Sequence, residues 1–153
     1  MKQPFYTIFF LLFAALTMLT SCEKDDVLDN MVIPQTTITF DDNIDKITAD
    51  YKVNSTLTLK ISGLNTATSV QVTSRYTASG ATKTKEVATL IPTNGVATLS
   101  VPVSALRNTA DGAITGATTT TASRTSNTYS LIVKATLPNN ITEQRIFSAI
   151  IVQ

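Results

Sequence analysis

Catalysis needs a nucleophile with a base, a facing pair of carboxyl groups or a metal-ligand set, and this 153-residue chain offers little of any. Histidine is absent, which removes the most frequent general base and metal ligand together. Tryptophan, the best flat platform for stacking a sugar or a base, is absent too. From Thr37 onward serines abound, yet no Ser-x-x-Lys spacing lets a lysine activate a hydroxyl. Glycoside hydrolysis wants two carboxyl groups across a cleft, and after Tyr51 only Glu86, Asp111 and Glu143 could supply them, from separate segments. Asp41-Asp42-Asn43-Ile44-Asp45 starts like a calcium loop, but Lys46 and Lys52 stand where such a loop needs Gly and Glu, so a solvated linker is expected there. Lys83, Lys85, Arg75, Arg107, Arg124 and Arg145 could line a basic surface, but no aromatics interleave with them. They read as solubilising charges, with no nucleic-acid partner. Tyr51 and Tyr76 could stack on a glycan and are expected to pack against the core instead. The reading is of a protein that is not an enzyme, with no catalytic residue, cofactor or metal ligand.

The elements that would position any site are β-strands. Thr, Val, Ile and Ser dominate after the first segment, and β-branched residues suit a pleated surface. Period-two alternation recurs. Leu57, Leu59 and Ile61 share one face of Thr56–Ser62, and Val70, Val72, Ser74 and Tyr76 share a face of the next strand. A third strand, Lys85–Ile91, stops at Pro92, and Asn94-Gly95 turns the chain into Val96–Val103. Ser104–Asn108 reads as one helical turn. Tyr129, Leu131, Val133, Ala135 and Leu137 alternate, Pro138-Asn139-Asn140 turns, and Ile141–Val152 closes the chain with a strand apolar on both faces near its end. Such a strand is either covered on both sides or laid against a partner. Thr37–Phe40 begins the domain after Ile33-Pro34. The stretch Asn108–Asn127 lacks apolar periodicity, so it is expected as a long loop, functional or merely connecting, or as a hairpin of Ala113–Gly116 with Ala117–Thr121. About seven short strands with turns between them predict an all-β, single antiparallel sandwich over residues 36–153.

Tyr129-Ser130-Leu131-Ile132-Val133-Lys134-Ala135 resembles the penultimate strand of fibronectin-III and other immunoglobulin-like domains. The resemblance implies an immunoglobulin-like β-sandwich in which the Tyr129 hydroxyl bonds back to the backbone. A single cysteine excludes the antibody-type disulfide, and a transthyretin-like sandwich or a small barrel fits the strand rhythm nearly as well.

The start of the chain is an address. Lys2 precedes an apolar run, Phe5 to Leu19, that is short for a helix crossing about 30 Å of hydrocarbon and suits a signal peptide over residues 1–21. Leu19-Thr20-Ser21-Cys22 resembles the lipobox of bacterial lipoproteins. The resemblance implies cleavage before Cys22 and acylation of its sulfur and its new amino group. Two or more acyl chains hold a protein stably at a membrane, each buried CH₂ adding about 0.8 kcal/mol. Residues 22–35 then form an acidic tether, within which Lys24, Asp25 and Asp26 resemble the export signal of surface lipoproteins in Bacteroidota-type cells. The expected location is the outer membrane, lipid-anchored and facing the exterior.

The functional expectation is a non-enzymatic surface binding or accessory module, with a carbohydrate or a surface protein as partner. The alternatives are a structural subunit of an adhesive assembly built by strand addition and, more weakly, an inhibitor of a secreted hydrolase.

Overall fold

The computed structural model describes residues 37–41 and 45–153. Cys22, Lys24, Asp25 and Asp26, the signal peptide and the tether lie outside the described residues, as do Asp42, Asn43 and Ile44. The described part forms an all-β, two-sheet sandwich of eight strands: β1 (Thr39–Phe40), β2 (Thr48–Lys52), β3 (Thr56–Ser62), β4 (Ser69–Ala78), β5 (Ala81–Leu90), β6 (Ala97–Pro102), β7 (Thr128–Thr136) and β8 (Thr142–Val152). One sheet is ordered β1-β3-β6 and the other β2-β8-β7-β4-β5. Strands one, two and five of an immunoglobulin-like sandwich pair in the same order as β1, β3 and β6, and β8-β7-β4-β5 reproduces the opposite sheet.

Alternation in the sequence becomes alternation in burial. Leu57, Leu59 and Ile61 from β3 meet Val70, Val72, Tyr76, Leu131, Val133, Phe147, Ala149 and Ile151 from the larger sheet in one apolar core. Phe40 and Phe147 pack edge to face with centroids 5.5 Å apart. Edge-on geometry sets the positive rim of one ring against the negative face of the other.

The sheets are not wholly antiparallel, because β2 runs parallel to β8, Thr48 opposite Ser148 and Lys52 opposite Val152. It continues the direction of β1 after crossing from the smaller sheet to the larger. Asp41 and Asp45 take positive φ, 67° and 47°, at this crossing. Asp41 and Asp45 lie exposed in the linker between β1 and β2, as expected, but Asp45 is also paired: its carboxylate accepts two hydrogen bonds from Arg145, at 2.9 and 2.7 Å, and one from the Phe40 N–H. Arg145 also donates to the Ile38 carbonyl and lies over the Phe40 ring. A strand not expected from the sequence is β2, whose alternation is short and weak, Ala49 and Tyr51 alone turning toward the core; its pairing comes from the edge of β8.

Three other expectations change. First, β5 begins at Ala81, because Ser79 and Gly80, with φ of 51° and 74°, close a two-residue hairpin onto β4. Second, Asn108–Asn127 is neither a long loop nor the expected hairpin. It holds a 3₁₀ turn at Thr109–Asp111, a bridge from Ala117 to Val152, and a short helix, α1 (Thr121–Ser126), whose Thr120 hydroxyl accepts from the Ser123 N–H. Third, β8 is an interior strand with β7 on one side and β2 on the other, so its apolar end is covered within the domain. The expected turn at Ser104–Asn108 forms slightly earlier, as a 3₁₀ turn at Val103–Leu106.

Two glycines test this arrangement against each other. A Cβ on Gly63 would sit 1.9 Å from the Thr37 carbonyl oxygen, whereas one on Gly80 meets nothing within 4 Å, and both residues have positive φ. Gly80→Ala should cost only the left-handed penalty, about 1 kcal/mol, and Gly63→Ala about 2 kcal/mol or more, since backbone must move. Urea unfolding of the two variants would give equal midpoints if the first strand were not seated against the β3–β4 corner.

Candidate functional site

The two ends of the sandwich differ in content. At one end the chain enters through Thr37, whose hydroxyl donates to the Gly63 carbonyl and whose N–H donates to Glu143. Strand directions then place the β2–β3 turn, the β4–β5 hairpin, the segment from Val103 to Asn127 and the carboxy terminus at the opposite end. That far end carries a cavity of about 350 Å³. Val53 and Asn54 line it from the β2–β3 turn, and Ser104, Arg107, Asn108, Thr109 and the segment Gly112 to Ile114 line the rest.

Polar residues gather here because the larger sheet extends beyond the smaller one. On the overhanging inner face of β4 and β5, Tyr76 stands opposite Lys83 and Ser74 opposite Lys85. No strand of the smaller sheet covers these positions; the chain from Val103 to Gly112 does. Asp111, whose side chain is only 8% exposed, accepts a hydrogen bond from Lys83 and another from the Tyr76 hydroxyl at 2.7 Å. The same hydroxyl accepts from the Asn108 N–H at 3.1 Å. Lys85 donates to the Arg107 carbonyl, and Arg107 donates to the Asp111 carbonyl while its guanidinium lies over the Tyr76 ring. Tyr76 and Tyr129 pack with centroids 5.8 Å apart.

These contacts set the titration of the cluster. Lys83 first, and Tyr76 next, hold the Asp111 carboxyl below its ordinary 3.8. Burial pushes the Tyr129 hydroxyl up, and its hydrogen bond with Arg107 opposes that shift. Tyr129 is buried, as the strand resemblance implies, but the tyrosines with recorded backbone hydrogen bonds are Tyr76, to the Asn108 N–H, and Tyr51, to the Thr58 carbonyl. Leu106, fully buried just before Arg107, fixes where the guanidinium emerges.

The other candidate residues are dispersed. Glu86 bonds Gln71 and Thr89 on the outer face, and Glu143 sits at the end where the chain enters, so neither approaches Asp111. Arg124 pairs with Asp50 at 2.8 Å, which raises the arginine further, and Arg145 pairs with Asp45. The six bases are therefore dispersed, as expected of solubilising charges: two lie in separate ion pairs, Arg75 is exposed on β4, and Lys83, Lys85 and Arg107 gather at the far end. Tyr51 is half-buried beside a smaller cavity of about 120 Å³, and its hydroxyl donates to the Thr58 carbonyl. Among the described residues no three His, Cys, Asp or Glu side chains gather as a metal set, and no helix is long and apolar enough to cross a membrane. The far-end groove was invisible in the sequence because its residues are ordinary loop polar types; the one available signal was Tyr76 and Lys83 facing inward from adjacent strands.

Removing the Tyr76 hydroxyl should unlatch this cover. Tyr76→Phe is expected to cost about 1–2 kcal/mol in urea unfolding, more than Tyr129→Phe, since it leaves the Asn108 N–H without its acceptor. A larger loss from Tyr129→Phe would reverse the assignment. The acid limb is a second check. With Asp111 and Asp45 held below 3.8 in the folded state, their contribution is complete above that value and is lost as pH falls through the folded values. The melting temperature should hold down to about pH 5 and drop below about pH 4. Asp111→Asn should start lower and lose less over that range; a curve displaced in parallel would remove Asp111 from the account.

No family model matches this chain, and neither the curated proteins nor the solved structures contain a match, so the functional reading rests on its own residues.

Proposed function

We propose that the chain is a non-enzymatic surface lipoprotein, anchored through acylated Cys22, whose sandwich holds a binding groove away from the membrane. The observation that carries the reading is positional. The chain reaches the domain at Thr37, and the concave polar groove bounded by Asn54, Arg107, Asn108 and Thr109 lies at the other end. A tether joined at one end leaves the opposite end free to meet a partner. Strands give that end rigidity, and connecting segments supply its recognition groups. A volume near 350 Å³ is at the lower bound for small-ligand pockets, of about 300 Å³, and matches one or two sugar units. Side-chain amides and hydroxyls around it suit vicinal sugar hydroxyls, which supports a role in glycan capture. Groove binding is preferred to strand addition because the apolar closing strand already has neighbours on both edges.

Two substitutions separate anchoring from orientation. Cys22→Ala should abolish acylation and move the protein from membranes to the soluble extracytoplasmic fraction; a variant that still sediments with membranes, independent of detergent, would end the lipoprotein reading. Replacing Lys24, Asp25 and Asp26 together with Ala should leave acylation intact and shield the domain from protease added to whole cells. Unchanged protease sensitivity would reduce that stretch to a tether.

A further inference from the structure

We propose that the far-end groove is selective for a sugar bearing a carboxylate, with Arg107 as the cation that recognises it; this rests on the groove-binding reading above. The argument is charge accounting. Four arginines lie among the described residues. Arg124 and Arg145 each hold a carboxylate, and Arg75 stands exposed on the outer face of β4. Arg107 is partly buried, lines the groove, and has no carboxylate within ion-pair distance among the described residues. Its direct contacts are neutral, the Asp111 carbonyl and the face of Tyr76, and the Asp111 carboxylate acts on it only through space. The one carboxylate nearby, that of Asp111, does not line the groove and is taken by Lys83 and Tyr76.

A half-buried cation that must share its one nearby carboxylate is costly to hold, and a cluster of three cations around that carboxylate keeps the field at the groove positive. Hydrogen bonds to neutral acceptors fix the guanidinium's position without neutralising it. A ligand carboxylate arriving there meets a charge that is already oriented, and charge-assisted hydrogen bonds are roughly twice as strong as neutral ones. Asn54, Asn108, Ser104 and Thr109 surround the remaining volume with donors and acceptors for hydroxyls. The combination of one fixed cation and several neutral polar groups selects for a uronate-like sugar over a neutral one.

The test uses the full domain with uronate trisaccharides of galacto, gluco and manno configuration and their fully methyl-esterified forms, which differ only in charge. By calorimetry in low salt, at least one acid should bind about tenfold or more tighter than its ester, a margin that shrinks as salt rises. Arg107→Gln should bring acid and ester together; because Arg107 also packs on Tyr76, the variant is first checked for a parental circular dichroism spectrum. Ala113→Trp, which fills the groove from an exposed position and leaves Arg107, Tyr76, Lys83 and Asp111 unsubstituted, should abolish binding of both. Equal affinity for acid and ester, lost in Ala113→Trp, would overturn the carboxylate proposal and leave the groove. Binding that survives Ala113→Trp would overturn the groove itself. Absence of binding by every uronate would overturn the proposal directly.

Discussion

A sheet of five strands cannot be covered by a sheet of three, and the far end of this domain is organised around that mismatch. The inner face of β4 and β5 beyond Val72 would otherwise open to water. A longer smaller sheet would close it with apolar side chains. Here the chain after β6 turns back across it instead, and such a segment has no strand partner for its peptide groups. They are satisfied by side chains: Tyr76 for the Asn108 N–H, Lys85 for the Arg107 carbonyl, Arg107 for the Asp111 carbonyl. The inward residues at the far end of β5, Lys83 and Lys85, meet a polar cover, whereas Val87, Ala88 and Leu90 further along pack against the core. Asp111 offsets part of the charge this gathers, and what it leaves over is concentrated at Arg107.

The same constraint operates at the other edge of the larger sheet. There β2 must leave the smaller sheet after β1 and find the edge of β8, and a chain crossing between layers has to turn sharply. Asp41 and Asp45 supply the left-handed conformations, which short polar side chains tolerate better than others. The Asp45–Arg145 pair ties the crossing to β8, and Arg145 reaches on to the Ile38 carbonyl in the other layer. One side chain thus bridges both sheets where a disulfide cannot, since the position two residues after Tyr129, which carries the second cysteine in antibody domains, is the buried Leu131.

Much of the architecture was legible because burial on one face imposes period two. The bounds of β3, β4, β7 and β8 follow from Leu57 to Ile61, Val70 to Tyr76, Tyr129 to Ala135 and the long final run. What could not be read was whatever depends on a distant partner. TADYK becomes a strand because β8 presents an edge to it, and Thr121–Ser126 becomes a helix capped by Thr120 where Ala117 is pinned to β8. Gly116 marks that pinning: its φ is 78°, and a Cβ there would lie 2.9 Å from the backbone of Val152 and Gln153. A glycine signals a special conformation in sequence, but not which neighbour requires it. The site was less legible than the fold for the same reason. Arg107 and Asp111 look like two scattered charges until β5 places Lys83 and Lys85 beside them.

Stability is therefore unevenly distributed, and this bears on function. The middle of the sandwich is held by a continuous apolar core, whereas at the far end Val103 and Leu106 anchor the start of the cover in that core and the rest is held by hydrogen bonds and one partly exposed ion pair. Segments secured that way open at lower free energy than core strands. The cover beyond Leu106, from Arg107 to Gly112, supplies much of the groove, so opening that part would dismantle the groove while leaving Val103 and Leu106 in the core. A ligand touching both the β2–β3 turn and this cover would join two segments that otherwise communicate only through the strands. Binding confined to the closed form stabilises that form by mass action. Recognition and the local stability of the far end are consequently one equilibrium, and any residue that latches the cover acts on affinity without touching the ligand.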